Sequence, residues 1–377
     1  MDKVQDQQRW VEEARKFAHK EIRPRARELD IKGEYPRDLI DRLAEKGFLL
    51  PSVSKEYGGL GLDPVNYGLF LEEIGKACCS TRGLITVNNA LIGETIVRWG
   101  NEEQKREWLP LIAAGKRLGA FALTEPDVGS DAKNVKTTYT RKGDQYVIKG
   151  RKKWISFGDM ADFFLVITSG PEKSTAFLIH RNLPGVRTRP IKGMLASRAS
   201  HLAEIEFDSV TVPSDKVLGR VGAAFPYVVG TALDHGRYSV AWGGVALAQE
   251  ALEAMVAYAR KRRQFEKKIG EFQLVRGMIA DAVTKVHAAR ALCIKTGEMR
   301  KEKKPDAIVE TNIAKYFTSK VALDVATDAV QVHGANGCCD SYPVERLFRE
   351  AKLLEIIEGT SQIQQEIIGT YGLRKYC

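Results

Sequence analysis

The spacing of apolar and polar positions changes twice along the chain. From Val4 to Leu29, the residues Trp10, Val11, Ala14, Phe17, Ala18 and Ile22 recur near helical period. Pro36 fits the first turn of a second helix, Arg37 to Lys46. Glu102 to Ala114, with Trp108, Leu109, Leu111 and Ile112, closes this helical part. Beyond Gly119 the period becomes that of strands. Tyr146-Val147-Ile148 follows the turn Gly143-Asp144, and Phe163 to Thr168, Thr175 to Ile179 and Ala203 to Phe207 read as further strands. From about residue 226 helices return. Val240 to Phe265 is rich in Ala and Gly, while Gln273 to Met299 and Asp306 to Val332 are long amphipathic patterns. The expected fold is mainly α with a β-rich middle: a helical domain over 1–119, a β domain over 120–225 and an antiparallel helix bundle over 226–377.

Composition adds little to this until charge is counted. With 377 residues, 44% hydrophobic and 28% charged, the chain has the make-up of a globular protein with a sizeable core. No apolar run approaches the ~20 residues that span a bilayer. The opening MDKVQDQQRW is polar and has no signal-peptide core, so a cytoplasmic protein is expected. The six cysteines include the adjacent pairs Cys78-Cys79 and Cys338-Cys339, without CxxC or zinc spacing, so reduced thiols and no metal site are expected. Lys and Arg number 58 against 48 Asp and Glu, a net charge of +10. Such a surface attracts nucleic acid, anionic lipid, CoA phosphates or an acidic protein. The runs Arg260 to Arg263 and Lys301 to Lys304 read as solvated faces and do not select among these.

Candidate chemistry centres on Leu353 to Gln365, LLEIIEGTSQIQQ. An apolar helical run ends at Glu358-Gly359, where Gly359 can break the helix or turn left-handed. Thr360 or Ser361 can cap the next helix, and Ser361 with Gln364 fits a capping box. Glu358 therefore sits between two helices beside apolar neighbours. A carboxylate partly desolvated there has a raised pKa and suits a general base. The same stretch also reads as an ordinary helix–turn–helix with an exposed Glu. Upstream, Thr124 to Asp131 runs from a strand into a Gly-containing loop, and Trp154 stands at a strand edge, a position more often core than cofactor wall. Asp234 reads as an N-cap, Arg237 as a surface salt bridge and His235 as a structural histidine.

Several motifs change that balance together: Ile357-Glu358-Gly359-Thr360-Ser361-Gln362-Ile363-Gln364, Thr124-Glu125-Pro126 with Gly129-Ser130-Asp131, Trp154-Ile155-Ser156, Arg262 to Phe265 with Gln273, and Gln331 to Gly337. In this order, over nearly the whole chain, they resemble the acyl-CoA dehydrogenase family of flavoproteins. The resemblance implies a four-helix C-terminal bundle, bound FAD, and Glu358 as the base that takes the α-proton of an acyl thioester while the β-hydrogen leaves as hydride to the flavin. A minority of the family carries the base just before an Arg. Here that position is Gly236, before Arg237, and glycine cannot be a base. By resemblance, Phe121, Leu123, Thr124, Ser130, Trp154, Ile155, Ser156, Thr360 and Gln362 contact the cofactor. Ser130, Asp234, Arg237 and Gly359 contact the substrate. Arg262, Phe265 and Gln273 reach the FAD of a neighbouring subunit, and Gln331, Val332, Gly334 and Ala335 contact FAD adenine and ribose. An FAD shared in this way implies a homo-oligomer, a tetramer built as a dimer of dimers. Two positions depart from the pattern: Phe157, where most members carry a small polar residue, and Glu266, where Gly usually follows the Phe.

Lys153 to Gly158, Arg198 to Glu204, His333 to Cys338 and Glu355 to Gly359 further resemble a branch of secondary metabolism that acts on acyl or aminoacyl groups tethered to a carrier protein. The expected substrate is then a prolyl or other amino- or hydroxyacyl thioester on an acyl or peptidyl carrier protein, whose acidic surface suits this basic chain. A short or medium acyl-CoA is the family default. Electrons leave to an electron-transfer flavoprotein or to oxygen. A flavin-bearing scaffold that binds nucleic acid is a reading of another class; Glu358 and the flavin motifs argue against it.

Overall fold

In the computed structural model residues 3–376 are described; the expected domain limits 1 and 377 lie outside them. Seven helices come first: α1 (Lys3–Phe17), α2 (Ala26–Lys32), α3 (Arg37–Glu45), α4 (Pro64–Ala77), α5 (Cys79–Ile85), α6 (Glu94–Trp99) and α7 (Glu102–Ala113). The single helical pattern over 4–29 is divided. A π turn at Ala18–Ile22 and a 3₁₀ turn at Arg23–Arg25 part α1 from α2, and Pro24 in that turn cannot donate an intrahelical bond. Between α5 and α6 the helix continues in π form over Thr86–Gly93, all of it buried. Such widened turns recur at functional sites. Asn101 caps α7 and forms a capping box with Gln104.

The middle of the chain is a two-sheet sandwich. β1 (Gly119–Ala122), β4 (Phe163–Thr168), β5 (Thr175–His180) and β8 (Val217–Leu218) form one sheet, in which β1 runs parallel to β4. β2 (Thr138–Lys142), β3 (Gln145–Ile155), β7 (Ala203–Pro213) and β6 (Val186–Pro190) form the other, all antiparallel. Phe164 and Val166 of β4 pack with Phe207 and Val210 between the sheets, whereas Phe163, Leu165 and Ile167 face the helical core. Both faces of β4 are thus buried, which explains its unbroken apolar run.

Helices α8 (Gly230–Ala259), α9 (Gln273–Lys301), α10 (Ala307–His333), α11 (Val344–Leu354) and α12 (Ser361–Lys375) complete the chain. α8 packs on α9, α10 and α11, and α4 packs against α8 and α9. A side chain at Gly244 would meet the Thr318 carbonyl at 2.7 Å, so α8 and α10 approach to backbone contact there. The helix expected over 240–265 ends at Ala259. A hairpin follows, β9 (Arg263–Gln264) and β10 (Lys267–Lys268), with Phe265 and Glu266 at its tip at φ 50° and 63°. Two left-handed residues make the tight turn that Asn-Gly normally supplies, and Phe-Glu gives no sequence signal for it. Among the described residues no helix is long and apolar enough to cross a membrane.

One buried ion pair ties the sandwich to the loop after β1. Lys152 on β3 is fully buried, and its Nζ donates to the Leu123 carbonyl at 2.9 Å and to Glu125 Oε1 at 2.8 Å. The Glu125 carboxylate also accepts the N–H groups of Lys136 and Thr137, at 2.6 and 2.8 Å. Removing the cation alone leaves a buried anion with its charge partner lost. Lys152→Met is expected to lower the unfolding free energy by about 3–5 kcal/mol in urea titrations. A loss below about 1 kcal/mol would show that the pair does not hold this loop.

Candidate active site

The chain reverses direction at Glu358. α11 ends at Leu354, a turn carries the chain to Ile357, and Glu358 and Gly359 then take φ of 55° and 91°. Glycine is at ease in this conformation, whereas a glutamate held there costs about 1–3 kcal/mol. Three side chains from three helices hold the strained pair. Arg237 Nε on α8 and Gln364 Nε2 on α12 donate to the Glu358 carbonyl, at 3.0 and 3.1 Å. Lys315 Nζ on α10 donates to the Gly359 carbonyl at 2.7 Å. Arg237 is fixed in turn by Asn312 Oδ1, 3.0 Å from its Nη1. Of the two candidate caps, Thr360 is the N-cap of α12, its hydroxyl accepting the Ile363 N–H at 3.3 Å. The expected Ser361–Gln364 capping box does not form, because the Gln364 amide is turned back to Glu358.

Glu358 faces a cleft, yet its Oε2 is shielded and has no hydrogen-bond partner. It lies against Gly236: a Cβ at that position would stand 2.7 Å from Oε2 and 2.7 Å from Leu91 Cδ2. Burial raises the carboxyl to about 7, against the pull of Arg237, Lys315 and Arg82. The opposition is incomplete because Arg237 and Lys315 direct their N–H groups to backbone carbonyls. Burial also lowers Lys315, to about 8, with Glu358 offsetting part of the effect, and it lowers Arg237.

The cleft holds about 1960 Å³. That exceeds the roughly 300–1,000 Å³ of a site for one small ligand, so the cleft has room for more than one. Phe121, Leu123, Thr124, Ser130, Trp154, Ser156, Asp234, Arg237, Gly359 and Thr360 line it with Glu358. Trp154 is 48% exposed, not core. β3 carries an extra residue there, since Lys152 pairs with Ile205 but Ile155 with Ala203, and Trp154 takes φ 64°. The bulge re-aims the ring into the cleft and leaves Ile155 buried beneath it. Phe157, the first departure from the family pattern, is fully buried and meets the Tyr35 ring edge-on at 6.2 Å. Asp234 is not an N-cap: α8 begins at Gly230, and Asp234 pairs with Arg300 at 2.8 Å.

Other expected residues lie away from this cleft. Arg262 precedes the exposed hairpin, Phe265 at its tip is 86% exposed, and Gln273 opens α9. Gln331 and Val332 lie in the last turn of α10, and Gly334 and Ala335 follow in a 3₁₀ turn. Gln362 lines a separate, smaller pocket between α10, α11 and α12, with Thr360. Within one chain these residues do not meet Glu358. The sequence reading missed Lys315, Arg82 and the clamping role of Gln364. Each cation sits alone in a small-residue or apolar stretch, and that isolation was the available signal.

Models of the acyl-CoA dehydrogenase N-terminal, middle and C-terminal domains match residues 4–116, 120–210 and 225–372. A probable acyl-CoA dehydrogenase of Bacillus subtilis, YngJ, is 37% identical over 98% of this chain and 99% of its own length. Among solved structures, butyryl-CoA dehydrogenase from Megasphaera elsdenii superimposes with a TM-score of 0.94 at 34% identity, over 99% of both chains. A glutaryl-CoA dehydrogenase from Mycobacterium smegmatis in complex with FADH2 gives 0.93 at 26%, over 100% of this chain and 96% of that one. The prolyl acyl carrier protein oxidase AnaB gives 0.90 at 27%, over 97% and 98%. The chain therefore belongs to the acyl-CoA dehydrogenase family, FAD-dependent oxidoreductases of acyl thioesters.

Proposed function

We propose that Glu358 is the catalytic base of this enzyme and that its substrate is an acyl group carried on the phosphopantetheine arm of an acyl carrier protein. The observation that carries the first part is the shielded, unpartnered Oε2 on the cleft. A carboxylate without a hydrogen-bond donor on that oxygen keeps its basicity for the substrate Cα–H. Gly236 leaves the space that the carboxylate occupies, and a side chain there would collide with it. FAD, when bound, supplies the acceptor for the hydride that leaves Cβ. Thr124, Trp154 and Ser156 are the proposed wall for its ring, and Ser130, Asp234 and Arg237 the proposed guides for the substrate arm. The backbone N–H of Glu358 is the proposed donor to the thioester oxygen, stabilising charge that develops there as the proton leaves. The exposed Arg262, Phe265 and Gln273 are proposed to serve the cofactor of a second copy, which makes the working form a homo-oligomer.

The carrier-protein reading is supported by the likeness to AnaB, by the +10 net charge and by exposed Arg98, Lys303 and Lys304 at the edge of the cleft. The same cations suit CoA phosphates, and the names of YngJ and the Megasphaera enzyme favour an acyl-CoA substrate. Matched acyl groups on CoA and on an acidic carrier separate the two. Anaerobic flavin bleaching is expected to be faster with the carrier by about tenfold or more in kcat/KM, an on-rate gain that added salt removes. Equal rates, or a CoA preference, would overturn the carrier reading. Glu358→Gln is expected to abolish bleaching with either while leaving flavin bound; retained bleaching would overturn the base assignment.

The pH dependence follows from the raised carboxyl. The base must be unprotonated, so kcat/KM rises with pH through about 7 and levels off above it. Lys315→Met removes a cation that favours the ionised form, so the same limb moves to higher pH. A limb that stays in place in this variant would show that Lys315 does not act on Glu358.

A further inference from the structure

Several partly buried arginines in this protein have a carboxylate partner. Arg290 meets Glu72 at 2.6 Å, Arg349 meets Asp30 at 2.6 Å, and Arg300 meets Asp234 at 2.8 Å. Arg82, on α5, does not. It is 3% exposed, it lines the cleft, and it makes no ion pair among the described residues. Its Nη1 meets the hydroxyls of Thr86 at 3.1 Å and Ser239 at 3.5 Å, its Nη2 meets the Cys79 thiol at 3.8 Å, and its buried Nε has no partner. Glu358 feels the charge of Arg82 but makes no hydrogen bond to it, and two other carboxylates nearby are already engaged. Glu350 accepts the N–H and hydroxyl of Ser197 at 2.9 and 3.0 Å, and Glu94 accepts from the Ser52 hydroxyl. A buried cation held only by hydroxyls and a thiol leaves much of its desolvation uncompensated.

The fold makes room for this group. A side chain at Gly243 would stand 2.8 Å from Arg82 Nε, so the guanidinium lies on bare helix. Gly236, which makes the same space for the Glu358 carboxylate, lies seven residues earlier on α8. Two turns of helix separate the two positions by about 10 Å along the axis. Allowing about 3 Å of contact at each end leaves space for roughly three or four carbons beyond the thioester carbon.

We propose that Arg82, with Thr86 and Ser239, is the subsite for an anionic acyl terminus, so that the preferred substrate is a short acyl thioester ending in a carboxylate. The proposal rests on Glu358 as the base, which sets the position of the substrate Cα. A hydrocarbon tail gives Arg82 no partner, and the ammonium of an aminoacyl group meets a like charge; a carboxylate supplies the missing counter-ion with bidentate geometry. The substrate expected from sequence alone therefore narrows away from prolyl loads.

The test compares glutaryl with pentanoyl thioesters, on CoA and on a carrier, using the FAD-loaded enzyme. Wild type is expected to favour glutaryl by on the order of 100-fold in kcat/KM, and Arg82→Met to erase or reverse that preference. Arg82→Lys, which keeps the charge but not the fork, is expected to fall between them. Binding of both thioesters to Glu358→Gln holoenzyme provides a second readout that needs no turnover. A glutaryl preference in binding, with Glu358→Gln still oxidising the glutaryl thioester, would retain the subsite and sink the base assignment. Oxidation of both by wild type within about threefold of each other, with equal binding, would overturn the subsite and leave the base assignment standing. Should Arg82→Met fail to fold, the wild-type ratio and Arg82→Lys decide the matter.

Discussion

The left-handed break at Glu358–Gly359 is the constraint on which the site depends. Neither helix beside it can hold that conformation alone. The clamp consists of Arg237 from α8, Lys315 from α10 and Gln364 from α12, closing on two consecutive carbonyls. The packing of the helix bundle therefore sets the position of the carboxylate. Because two of those donors are cations spent on backbone oxygens, the protein places positive charge near Glu358 without bonding its Oε2. The carboxylate is held in place while its own oxygen stays free, which a direct salt bridge would not allow.

Other buried charges in the molecule are treated differently. Glu125 has a cation and two backbone donors; Glu72 has Arg290; Asp30 has Arg349. Each removes a cost that the fold would otherwise carry. Glu358 and Arg82 both lie on the cleft, one with an oxygen lacking a donor and the other without a carboxylate. Among the described residues, the charged side chains with a buried atom that lacks any hydrogen bond are these two, and both stand where a ligand can complete them, as expected where stability gives way to function.

Much of this was legible in the sequence, and the limits have physical causes. Changes of hydrophobic period revealed the order helix, sheet, helix, because each element buries one regular face. Gly359 marked the break, since few residues accept its backbone angles. Whether Glu358 was buried was not legible locally, because Leu91 and Gly236 come from distant helices. Trp154, at a strand edge, read more readily as core than as cofactor wall, and the one-residue bulge that turns it to the cleft has no sequence signal. The end of α8 was misjudged because Phe265 and Glu266 lack turn chemistry. Lys315 and Arg82 look like interruptions of an apolar pattern, and only the folded chain shows what each one faces.

The two incompletely satisfied charges also act on each other. Arg82 is one of three cations that favour the ionised form of Glu358. An anion seated on Arg82 cancels part of that field, so the proton affinity of Glu358 rises once such a substrate is bound. The base is then stronger when the acyl group is in place than in the empty cleft, while Arg237 and Lys315 keep a share of it ionised. A methyl-ended chain leaves the guanidinium beside hydrocarbon and the base weaker. Selection thus operates twice, at binding and at proton abstraction, through a single buried charge. The spacing of Gly236 and Gly243 makes this coupling a property of the helix, because both groups are seated on one rigid face of α8.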